Sequence, residues 1–102
     1  MEDKDYALLR IYTDEMAVSG DKALFEVILE KAKAHKLLGV TVLRGRVGFG
    51  HSNLVHATSF LDHNYPLIVE IVDMPATLRN FAAQLHQLKG IGAMTLLPVE
   101  LL

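Results

Sequence analysis

The residues of this chain that could do chemistry gather around two groups of glycines. Arg44, Gly45 and Arg46 lead into Gly48-Phe49-Gly50, and His51 follows directly. Glycines let backbone N–H groups approach a ligand closely, and guanidinium groups suit phosphate or carboxylate, so this stretch reads as a candidate anion site. Its spacing fits neither the dinucleotide fingerprint nor the Walker phosphate loop, and Gly-x-Gly pairs also occur in ordinary turns. Gly90-Ile91-Gly92 is the second group, with Gly90 standing where a helix cap belongs. His51, His56 and His63 are of a type that binds metals. Their separations of five and seven residues place neighbours on opposite faces of a strand and off a shared face of a helix, so no metal site is expected. Asp62-His63 pairs an acid with a base, but sequence adjacency does not aim the two side chains at each other. Ser52, Thr58 and Ser59 lack the flanking pattern of a nucleophile elbow. These residues leave the chain reading as a binding protein, not an enzyme.

The elements that must position these groups follow from periodicity. Ala7 to Thr13 alternates, with Leu9 and Ile11 on one side and Leu8, Arg10 and Tyr12 on the other, and reads as a first strand. After Ser19-Gly20-Asp21, which offers helix-start chemistry, Leu24, Ile28 and Ala32 recur at helical spacing with Phe25 and Leu29 beside them. Gly39 is expected to cap that helix. Val40 to Val47 is rich in β-branched residues and reads as a second strand. His51 to Pro66 keeps no period and reads as an extended loop, with room for a short strand near Val55–Phe60; a loop this long in a small domain usually carries function. Leu67 to Asp73 is nearly all aliphatic and reads as a third strand, and Pro75 suits the first turn of a second helix. Leu78, Phe81, Ala82, Leu85 and Leu88 form that helix's stripe, Gly90 stops it, and Ala93 to Val99 supplies the last strand. The order β-α-β-β-α-β predicts an α+β, ferredoxin-like fold, a four-stranded antiparallel sheet with both helices on one face.

Composition narrows the function classes. A chain of 102 residues has room for one domain. A net charge of −2 provides no strong field of either sign, which disfavours nucleic acid and acidic membranes as partners. With 51% hydrophobic and 22% charged residues the chain is expected to fold. The absence of cysteine excludes disulfides, a thiolate nucleophile and sulfur-ligated metals, and fits a cytoplasmic protein. The acidic start Met1-Glu2-Asp3-Lys4-Asp5 is unlike a secretory signal, and no apolar run reaches the ~18–20 residues needed to cross a bilayer. So apolar a chain of this size is expected to hide surface between subunits.

That surface is the sheet face away from the helices, formed by the opposite parity of each strand. With the first and third strands as central neighbours, Leu8, Arg10 and Tyr12 should lie beside Ile68, Glu70 and Val72. Val40, Val42, Arg44 and Arg46 should adjoin them, with Arg10, Glu70 and Arg44 forming a charge row. Such a mixed apolar and paired-charge surface suits a subunit interface, in which Arg10, Tyr12 and Glu70 take part.

Arg44-Gly45-Arg46-Val47-Gly48-Phe49-Gly50, His56 and the run Pro66 to Asp73, together with Leu9-Arg10-Ile11-Tyr12 and Glu30-Lys31-Ala32, resemble the PII-like family catalogued as domain of unknown function 190. The resemblance covers nearly the whole chain. It implies a relative of the nitrogen-regulatory PII proteins: a homotrimer of ferredoxin-like subunits, with a T-loop that contacts protein targets in the position of His51 to Pro66. It also implies a small effector, typically an adenine nucleotide, held between subunits. The T-loop base, at Gly48 and Gly50, and the glycine-rich turn before the last strand, at Gly90 and Gly92, would touch it. Ile91 and Ala93 replace the acid and the lysine of the PII pattern, so phosphate-binding charge would have to come from Arg44 or Arg46. Two other readings are a small ferredoxin-like enzyme of isomerase or monooxygenase type using His51, His56 or Asp62, and a structural subunit whose glycines are only turns.

Overall fold

Alternating burial along Tyr6–Asp14 (β1) divides that strand between two environments. Ala7, Leu9 and Ile11 are buried, while Tyr6, Leu8, Arg10 and Tyr12 are half-exposed. In the computed structural model, which describes residues 5–47 and 64–102, β1 lies at the centre of a four-stranded antiparallel sheet. Its neighbours are Pro66–Asp73 (β5) on one side and Met94–Val99 (β6) on the other, and Gly39–Arg44 (β4) lies outside β5. Leu24–Ala34 (α1) and Pro75–Leu85 (α2) cover one face. Leu24, Ile28 and Ala32 of α1 and Leu78, Phe81 and Leu85 of α2 form the apolar stripes expected of helices laid on a sheet. They close the core over Leu9, Ile11, Val69 and Ile71. The fold is the expected α+β, ferredoxin-like one.

Four local readings are corrected. Ser19-Gly20-Asp21 does not start α1. It turns a two-stranded hairpin, Val18–Ser19 (β2) against Lys22–Ala23 (β3), with Gly20 at φ +66°, and Ala23 precedes the helix without a side-chain cap. Gly39 does not cap α1, which ends at Ala34. His35 is its C-cap, Lys36 takes the left-handed conformation at φ 57°, and Gly39 opens β4. The second helix stops at Leu85 with His86 as its cap, so Leu88 and Gly90 belong to the turns that follow. Finally β4 ends at Arg44, leaving Arg46 and Val47 in a bend beyond it. The suggested strand near Val55–Phe60 lies outside the described residues.

On the uncovered face β1 and β5 stand in the expected register: Leu8 opposite Val72, Arg10 opposite Glu70, Tyr12 opposite Ile68. The β4 parity differs by one residue. Gly39, Thr41 and Leu43 oppose Val72, Glu70 and Ile68, whereas Val40 and Val42 oppose Ile71 and Val69 and pack against the core. Thr95, Leu97 and Val99 of β6 complete the face. No helix among the described residues is long and apolar enough to cross a membrane.

Candidate functional site

The last residues of β1, Tyr12 to Asp14, and Glu15 directly after them tie together the elements on which the candidate ligand-binding residues sit. On the β6 side, Thr13 Oγ1 donates to the Gly90 carbonyl at 2.8 Å and the Gly92 N–H donates to the Tyr12 carbonyl at 2.6 Å. The Tyr12 N–H donates in turn to the Ala93 carbonyl at 3.0 Å, so the glycine turn is laced to β1 before β6 begins. Gly90 sits at φ +94°, where a Cβ would come within 3.0 Å of Leu24 Cδ2 and 3.1 Å of Ala17 Cβ. This conformation, more than helix capping, is what calls for glycine there. Gly90→Ala is expected to destabilise the fold by about 1–3 kcal/mol, read as a lower urea midpoint at unchanged slope. A midpoint equal to the parent's would contradict the strain argument.

Asp14 is buried at 5% exposure and accepts the N–H groups of Met16 at 3.0 Å and Ala17 at 2.9 Å, which fixes the turn leaving β1. Asn64 Oδ1 also accepts from Met16 N–H, at 3.2 Å. The Glu15 N–H donates to the Tyr65 carbonyl at 2.9 Å, which fixes the start of the Glu15 side chain. Glu15 Oε2 in turn accepts from Arg44, with Nε at 2.9 Å and a terminal guanidinium nitrogen also in contact, and the guanidinium carbon stands 4.6 Å from the centre of the Tyr65 ring. An arginine between a carboxylate and an aromatic face is held in orientation. The Glu15 contact engages two of the five N–H groups of the guanidinium, and among the described residues the others have no hydrogen-bond partner and are open to an anion. Nearby, the Gly45 N–H donates to the Pro66 carbonyl at 2.7 Å, and a Cβ on Gly45 would lie 2.9 Å from Pro66 Cγ.

The expected charge row is therefore only partly formed. Arg10 Nε meets Glu70 Oε2 at 2.9 Å on the open face, and that hydrogen bond, ahead of the other influences, holds the guanidinium above its ordinary pKa. Arg44 does not join them; it turns to Glu15 at the end of the sheet. Arg46, beyond the end of β4, stands in no strand ladder. Gly48, Phe49, Gly50 and His51 lie outside the described residues, as do His56, His63, Asp62 and the hydroxyls Ser52, Thr58 and Ser59. Among the described residues no group of three or more metal-ligating side chains gathers. Glu15 and Thr13 were not singled out by sequence, since their partners lie 29 and 77 residues away.

Over residues 6–101 the chain matches the DUF190 family, described as an uncharacterised ACR. It is 34% identical over 99 residues to the UPF0166 protein of Aquifex aeolicus, an alignment that covers 93% of this chain and 91% of that relative.

Proposed function

We propose, from the premise that the chain belongs to the PII-like DUF190 family, that it is a regulatory protein without catalytic activity. In this reading it is a homotrimer that takes a small nucleotide or anion in clefts between its subunits and contacts a protein target through the loop from His51 to Pro66. The observation that carries the reading is the attachment of both glycine-marked regions to one end of β1. The Gly90–Gly92 turn is laced to its β6 side, and Arg44 is held by Glu15 toward its β4 side. Two neighbouring copies can then share one ligand, one offering backbone N–H groups of the turn and the other a guanidinium. Arg44 meets the need for charge left by Ile91 and Ala93 in the turn, and the apolar open face, with its Arg10–Glu70 pair, is the surface on which copies assemble.

The experiment is thermal unfolding of the purified protein with ATP, ADP, AMP or inorganic phosphate, with mass measured in solution alongside. A ligand at a hundredfold over its Kd adds about 2.7 kcal/mol of apparent stability, which raises Tm by several degrees. Arg44→Ala is expected to remove most of that rise. It should shift the ligand-free Tm little, because exposed ion pairs contribute at most about 1 kcal/mol. A trimer indifferent to all four compounds would overturn the nucleotide and anion reading, and a monomer would overturn the shared cleft.

A further inference from the structure

Met94 and Leu96 are on the helix-facing side of β6, paired with Ile11 and Leu9, yet they remain half-buried, because α2 packs over β1 and β5 and leaves β6 at its margin. The result is a groove of about 570 Å3 between α2 and the edge strand, floored by Ala82, Ala83, Met94 and Leu96. The small side chains of Ala82 and Ala83 make the recess. Among the described residues Arg79 and His86 are the ionisable groups that line it, and their seven-residue spacing, from α2 to its C-cap, places both along the same side. An occupant that matches this groove is apolar along its body and carries negative charge beside it.

The segment that follows β6, Glu100-Leu101-Leu102, has that composition, with both leucines exposed. It cannot reach the groove of its own chain. Val99 pairs with Tyr6 at the far end of the sheet, and at ~3.3 Å per strand residue Leu101 stands roughly 16 Å beyond Leu96. The three residues past Val99, Glu100 to Leu102, are too few to turn and run back to it. We infer that the groove receives the Glu100-Leu101-Leu102 segment of a second copy of this chain, with the leucines on Ala82, Ala83, Met94 and Leu96 and Glu100 facing Arg79 and His86. The contact joins unlike surfaces, so repeated from copy to copy it gives a ring where its rotation closes and a filament where it does not. It lies on the helix side of the sheet and does not depend on the open face serving as an interface.

The chain contains no cysteine, which makes the test direct. One chain carrying Ala83→Cys and another carrying Leu101→Cys, differently tagged, are co-expressed and oxidised. A disulfide needs Cα atoms within about 7 Å, and with one cysteine per chain it forms only between copies. The mixed disulfide is expected to accumulate at least about tenfold faster than with the first cysteine moved to Lys33 on the exposed side of α1. Arg79→Glu in the first chain should slow it, and adding Glu100→Arg in the second should restore it. A rate no faster than the Lys33 control, or a charge exchange that restores nothing, overturns the proposal.

Discussion

Phe81→Ala is expected to lower the unfolding free energy by about 3–5 kcal/mol, the range for removing a buried phenylalanine ring from a packed core. Phe81 is 1% exposed at the middle of α2, between Leu78 and Leu85 in the core cluster, and its ring meets the His35 ring edge-on with centroids 5.4 Å apart. The deletion therefore removes contacts to the sheet and to the end of α1 together. Domains of this size are stable by only about 5–15 kcal/mol, so the variant should unfold at a Tm lower by roughly 15 °C or more. Urea titration with circular dichroism measures it. A loss below about 1 kcal/mol would mean that the site collapses around the missing ring, and that α2 is not held where its apolar stripe places it.

Val72→Asp is expected to dissociate the proposed trimer while leaving the subunit folded. Val72 lies on the open face opposite Leu8 and Gly39, with Glu70 two residues away on the same strand and Arg10 diagonally across but already bonded to Glu70, so a new carboxylate there sets two anions against one cation. Burying it between subunits leaves an unpaired charge in an apolar setting, and the assembly should need at least about a hundredfold more protein to form. Glu70→Ala should act in the same direction, because it strips Arg10 of its carboxylate. Sedimentation of parent and variants reads both. If the parent is itself monomeric at all concentrations, the open face is simply a solvated surface.

The strands with clean alternation were legible in the sequence, and those without were not. Leu9 and Ile11 against Leu8, Arg10 and Tyr12 disclose the parity of β1, and the pairing with β5 follows from it. Along β4 the run Val40-Thr41-Val42-Leu43 is β-branched or apolar at every position, so parity is set by the register of Gly39 with Val72, a long-range fact that local pattern does not contain. The β2–β3 hairpin has a local signal, Gly20-Asp21 between the two-residue flanks Val18-Ser19 and Lys22-Ala23, which competes with a helix-start reading of the same residues. The end of α1 carries no glycine to mark it, because Lys36 is the residue that adopts the left-handed conformation. Of the site, Arg44 and the two glycines of the turn were visible by residue type. The carboxylate and the aromatic ring that orient Arg44 come from distant chain positions and have no local signature.

Gly45 and Pro66 are hydrogen-bonded backbone neighbours although twenty residues, 46 to 65, separate them in the chain. Whatever lies between them begins and ends at the same point of the sheet, where Asn64 and Tyr65 also bond to the residues leaving β1. Closing a flexible segment costs only about 0.6 kcal/mol more for each doubling of its length. The scaffold is thus a socket: a peptide of another length or sequence can be set between the paired ends, with Asn64 and Tyr65 kept for their bonds to the exit of β1, at little entropic cost to the sheet that presents it.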